Sequence, residues 1–141
     1  MPTRASIILF LAIVLLLIGT GIYYFFRTPI IAFTKLNITQ GEIQTINKDN
    51  LFIYFLVYCL PDALWYMSLL LVQTFFLKET GWLNRLLVGI AFSLPFLLEI
   101  GQYLGLISGT FDWLDIITYC ITLILFLCLR KISSLLDYKQ L

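Results

Sequence analysis

The chain reads as an all-α membrane protein: a bundle of four transmembrane helices in one domain spanning residues 1–141, with both termini cytoplasmic. Three observations predict this. Of 141 residues, 61% are hydrophobic, 16% aromatic and only 12% charged, and the mean hydropathy is +0.98, outside the usage of soluble globular domains. The apolar residues fall into four runs, each near the roughly twenty residues needed to cross a hydrocarbon core. Lysine and arginine gather in the segments that an even number of crossings places on one side.

The first run, Ser6 to Phe26, follows Arg4 and ends at Tyr23, Tyr24 and Arg27, a basic and aromatic edge suited to a membrane interface. It is too long for a secretory signal and has no A-x-A-like cleavage site behind a short core. The segment Thr28 to Asn50 is an outer loop that mixes Ile30, Phe33, Ile38 and Ile43 with polar residues, as a surface-lying or lid-like segment does. Asn47, Asp49 and Asn50 are start signals for the second helix, Leu51 to Leu77, and Lys78-Glu79-Thr80-Gly81 is the turn that ends it. The third helix is expected over Leu83 to Leu104 and the fourth over Trp113 to Leu129. Termini inside puts Arg4, Lys78, Arg85, Arg130, Lys131 and Lys139 in the cytoplasm, against Arg27, Lys35 and Lys48 outside. The expected location is the bacterial inner membrane.

Composition also removes chemistries. The net charge is +1 and no basic stripe exists, so nucleic acid is not a partner. The chain has no histidine, which excludes an in-chain Ser-His or Cys-His pair and leaves oxygen ligands for any metal. Cys59, Cys120 and Cys128 sit inside apolar runs without a C-x-x-C pair, and are expected as small buried hydrophobes. Trp65, Tyr66, Trp82 and Trp113 are expected as packing and interfacial residues.

What remains are the acids. Between Leu86 and Leu129 there is no lysine or arginine, yet Glu99, Asp112 and Asp115 lie there, and Asp62 is the sole charge between Leu51 and Leu77. Ionisable groups at membrane depth face a bundle interior or a water-filled cavity and are functional candidates by default. Helix three rises about 1.5 Å per residue, which puts Glu99 in its outer third with Gln102 one turn above on the same face. Asp112 and Asp115 open helix four from the same side, and Asp62 descends from the outer end of helix two. All five residues can therefore meet in the outer leaflet. Structural readings stand beside this: Asp112 as an N-cap, Asp115 in a first turn, and Asp62 serving backbone groups freed by Pro61. Glu99 follows Pro95, which frees the Ala91 carbonyl, but only a protonated Glu99 could donate to it. Gly101, Gly105 and Gly109 suit either close helix packing or the turn between helices three and four.

The pattern Glu99-x-x-Gln102, then Gly109-Thr110-Phe111-Asp112-x-x-Asp115 opening the last helix, resembles VanZ-like membrane proteins over Phe92 to Phe126. Two positions differ: Tyr119 stands where that family often has asparagine, and the loop lacks an arginine. The resemblance implies an envelope role, with a link to glycopeptide antibiotic resistance, and maps the family motif onto Glu99, Gln102, Asp112 and Asp115.

The leading functional expectation is an acidic outer-leaflet pocket of Glu99, Gln102, Asp112, Asp115 and Asp62. It would hold a divalent cation such as Mg or Ca through Glu99, Asp112 and Asp115 and bind a phosphorylated or lipid-linked envelope intermediate. Arg27, Lys35 or Lys48 would add phosphate contacts. Membrane lipids are partners in any case. No catalytic residue is assigned. The alternatives are a small ion- or proton-translocating protein, whose acids act as relays, and an accessory subunit packed against a larger membrane protein partner.

Overall fold

The computed structural model describes residues 4–27, 51–76 and 81–138. The loop 28–50, with Lys35, Lys48 and the start signals Asn47, Asp49 and Asn50, lies outside the described residues, as do Lys78 and Lys139. Nearly everything described is helical, and there is no strand among the described residues. Helix α1 is Arg4–Ile22, continued by a π-helical turn Tyr23–Arg27. Helix α2 is assembled from a turn Leu51–Tyr54, a π-helical segment Phe55–Cys59 and an α-helix Leu60–Phe76. Helices α3, Trp82–Tyr103, and α4, Trp113–Tyr138, complete the set. Four stretches are long and apolar enough to span a membrane: Ala5–Phe26, Phe52–Thr74, Trp82–Tyr103 and Trp113–Lys131. The chain is a multi-pass membrane protein.

The π-helical segment has a local cause. Pro61 has no N–H to return to the preceding turn, and its ring crowds the carbonyl four residues back. The chain answers by widening one turn, so that the Leu60 N–H donates to the Phe55 carbonyl five residues earlier. At the other end of α3, the Gly105 N–H donates to the Gln102 carbonyl at 3.0 Å and the Leu106 N–H to the Gly101 carbonyl at 2.8 Å. Gly105 has φ +69°. This is a Schellman closure, which needs a residue free to take a left-handed conformation. Ile107 folds back over buried Gly101, where an added Cβ would come within 2.6 Å of its Cδ1. The glycine series thus builds the turn.

Contacts between helices set an up-down-up-down order. Ser68 Oγ donates to the Ala12 carbonyl at 2.8 Å and Trp65 Nε1 to Thr20 Oγ1 at 3.2 Å, so α1 and α2 run antiparallel. Tyr54 meets Asp112 and Tyr66 meets Tyr119, so α2 and α4 run parallel. Phe96 meets Tyr119 and Phe92 meets Phe126, so α3 opposes α4. The start of α1 and the end of α4 therefore share one end of the bundle.

Tyr66, Leu70, Tyr119 and Phe126 form the buried centre, and Tyr66 OH donates to the Phe92 carbonyl at 2.9 Å. α2 is the hub, packing on all three other helices. The remaining faces are broadly exposed and apolar, as lipid-facing surfaces are. Trp82, Tyr103 and Trp113 stand exposed at span ends, where amphipathic rings belong at the headgroup level.

Two expectations need correction. Of the three cysteines only Cys59 is buried; Cys120 and Cys128 are exposed on α4, where lipid in place of water makes an outward thiol inexpensive. The last helix does not stop at Leu129 but continues to Tyr138, because nothing in Arg130 to Tyr138 breaks a helix once it leaves the apolar span.

At Gly19, α1 and α2 pack closely: a Cβ there would lie 2.9 Å from Trp65 Cδ1 and 3.1 Å from the Pro61 carbonyl oxygen. Gly19→Val should destabilise the bundle by about 1–3 kcal/mol through overpacking. Gly21→Ala, where nothing lies within 4 Å, should be neutral or stabilising by up to about 1 kcal/mol. Thermal or denaturant unfolding in bilayer discs separates the two, and equal losses would contradict this packing.

Candidate functional site

The end of the bundle where α2 and α4 begin and α3 finishes holds the acids. Asp112 precedes the first turn of α4, whose leading N–H groups have no partner within the helix. Its Oδ1 accepts the Leu114 N–H at 2.9 Å, and its carbonyl accepts the Asp115 N–H at 3.2 Å. The N-cap reading of Asp112 is thus realised. Its second oxygen, Oδ2, accepts the hydroxyl of Tyr54 from α2 at 2.8 Å. A single carboxylate both caps its own helix and ties it to another.

Glu99 contributes from α3. It is 4% exposed, and its Oε2 accepts the Asp112 backbone N–H at 3.4 Å, a long bond near the outer limit of useful geometry. In an ordinary capping box that N-cap amide is served by the side chain three residues into the same helix. Here it is served from the neighbouring helix. Glu99 thus meets a donor, the Asp112 amide, from the helix that follows it. Tyr54, Asp112 and Glu99 form an interhelical clasp that joins α2, α4 and α3.

Gln102 lies one turn beyond Glu99, packed against Gly109: a Cβ at Gly109 would fall 2.7 Å from the Gln102 amide carbon. Asp115 is in the first turn of α4, and Asp62 in the first turn of Leu60–Phe76. Both act electrostatically on Cys59, as does Asp112, and the Cys59 thiol and the Thr118 hydroxyl are hydrogen-bonded. Asp115 also lies in the neighbourhood of the Tyr54 hydroxyl. Around the buried Cys59 and the Tyr54 ring, carboxylates from both α2 and α4 therefore lie close enough to influence the same groups.

Tyr54 and Thr118 are not among the residues that the sequence singles out, and Cys59 is read there only as a small buried hydrophobe. Tyr54, whose ring stacks on Tyr58 with centroids 4.7 Å apart, is separated from Asp112 by 58 positions. Its signal is depth: in parallel helices, Tyr54 and Asp112 both stand at the start of their spans. Thr118 is one turn below Asp115 and faces α2, which spacing alone leaves open.

The arrangement is rich in acceptors and offers its carboxylates to donors or cations. Among the described residues, however, no three His, Cys, Asp or Glu side chains are grouped so as to hold a metal ion. The expected set of Glu99, Asp112 and Asp115 is therefore not a ready-made cage.

Asp112→Ala removes the cap and strips Tyr54 of its acceptor, and should cost about 1–3 kcal/mol in unfolding free energy. Tyr54→Phe should cost less, about 0.5–2 kcal/mol, the range for single interhelical bonds in bilayers. At Gly109, φ is +148°, and Gly109→Ala should cost about 1–3 kcal/mol through backbone strain and collision with Gln102. Unfolding of these variants in bilayer discs gives the three values; a neutral Asp112→Ala would contradict the clasp.

Comparison with known proteins finds no matching family model, no matching curated protein and no matching solved structure.

Proposed function

We propose that this is a membrane-embedded binding protein of the bacterial envelope, whose acidic end takes up a phosphorylated or lipid-linked component together with a divalent cation such as Mg or Ca. The observation that carries the reading is the meeting of Glu99 and Asp112, from two different helices, at one end of a bundle. The stretch supplying these two acids and Asp115 contains no lysine or arginine. Carboxylates held at membrane depth without such charges attract cations or donor-rich ligands.

A site without a three-carboxylate cage among the described residues is compatible with a particular kind of ion. Mg²⁺ gives up its waters reluctantly and is commonly bound through one or two carboxylates plus the phosphates of a ligand. On this reading the cation arrives with its phosphate, and Asp115 and Glu99 supply the protein's share. Gln102 would orient the ligand through its amide. The bias of lysine and arginine toward the opposite end supports an outward-facing site, and the VanZ-like pattern at Glu99, Gln102, Asp112 and Asp115 supports an envelope role. Arg27, which closes the π-helical turn at the end of α1, would add a phosphate contact; Lys35 and Lys48, the other candidates for that role, lie outside the described residues.

Native mass spectrometry of the full chain tests this with Mg²⁺ alone, a lipid phosphate alone, and both together. Joint retention should exceed the sum of the separate bindings, and should fall at least tenfold in Asp115→Asn or Glu99→Gln. Equal retention with and without Mg²⁺, or no effect of either substitution, would overturn the proposal.

A further inference from the structure

Among the described residues, Gln73 is the exception in the set of buried polar side chains. It is 4% exposed, and neither its Nε2 nor its Oε1 has a hydrogen-bond partner among the described residues. The other buried polar groups are served. Ser68 donates to the Ala12 carbonyl, Thr122 to the Thr118 carbonyl at 2.8 Å, Thr118 bonds with Cys59, and Glu99 accepts from Asp112. A carboxamide has two N–H donors and a two-lone-pair acceptor. Leaving it unpaired away from water carries the full desolvation penalty of the group.

The position of Gln73 narrows what can satisfy it. Asp62, Tyr66, Leu70 and Gln73 follow one another at three- and four-residue steps along one face of α2, and Asp115, Tyr119, Thr122 and Phe126 do the same on α4. Tyr66, Leu70, Tyr119 and Phe126 are packed into a single cluster, so these two stripes form the seam between the helices. Gln73 is on the seam in the half of the bundle away from the acids, and its burial keeps lipid and a second copy of the chain from reaching it. Thr122 is buried on the facing stripe. Its hydroxyl hydrogen is committed to Thr118, but its oxygen can still accept.

We propose that Gln73 anchors an internal water site in the α2–α4 seam, with the Thr122 hydroxyl as its second wall. A buried water typically makes two to four hydrogen bonds to groups that would otherwise go unmet. Gln73 supplies both donors and an acceptor, and Thr122 a further acceptor, which meets the hydrogen-bond requirement of a buried water. The site is separate from the acidic end and does not depend on the ligand proposed there.

Solid-state NMR of the full chain in bilayers, labelled with ¹⁵N-glutamine, provides the test. Magnetisation transfer from water should reach the Gln73 side-chain Nε2, identified by its loss in Gln73→Leu and independently in Gln73→Met. Transfer should persist when a soluble paramagnetic chelate quenches signals in contact with bulk solvent. Absence of transfer to Nε2 would overturn the proposal. Transfer abolished by the chelate would overturn it as well, because it would mean that Gln73 opens to the aqueous phase.

Discussion

A carboxylate packed among apolar helices must find its hydrogen-bond donors within the protein, and this requirement shapes the end of the bundle where the acids lie. Asp112 answers it twice, by capping its own helix and by receiving the Tyr54 hydroxyl. Glu99 answers it through the Asp112 amide. Because the donors come from different helices, satisfying the acids also fixes how α2, α3 and α4 stand relative to one another. In water such bonds would add little. Within a bundle, where helices gain no hydrophobic drive to associate because lipid is equally apolar, packing and interhelical polar bonds set the register.

The local irregularities serve the same end. The widened turn before Pro61 lets α2 continue without the missing amide and carries Cys59, which lies beside the acids, into the interior. The Schellman closure at Gly105 stops α3 just after Gln102 and returns the chain sharply, so that Asp112 begins α4 beside Glu99. An apolar spacer could span the distance equally well. A tight, glycine-built turn is what places an N-cap against the side chain of the preceding helix. Away from this end the bundle is held by aromatic edges around Tyr66 and Tyr119.

Much of this was legible from residue order. Apolar runs mark spans strongly, and the four spans begin and end within a few residues of the expected limits. The sharing of one face by Glu99 and Gln102, and the cap at Asp112, follow from helical spacing and turn chemistry. What spacing cannot convey is pairing between helices: Tyr54 carries no mark of its partner 58 positions away. The outward Cys120 and Cys128 were misplaced for a related reason, since an apolar residue in a membrane helix is equally content on either face. Hydropathy also registers only the apolar portion of α4, so its polar continuation to Tyr138 was missed.

The clasp is most directly tested by the separation between the Glu99 carboxyl carbon and the Asp112 amide nitrogen, measured by ¹³C–¹⁵N dipolar recoupling in bilayers. With the Glu99 oxygen 3.4 Å from that nitrogen, a readily measurable coupling is expected, one that survives in Tyr54→Phe and is lost in Glu99→Ala. If the native chain shows no coupling between these two sites, α3 and α4 do not meet at their acids and the clasp is wrong.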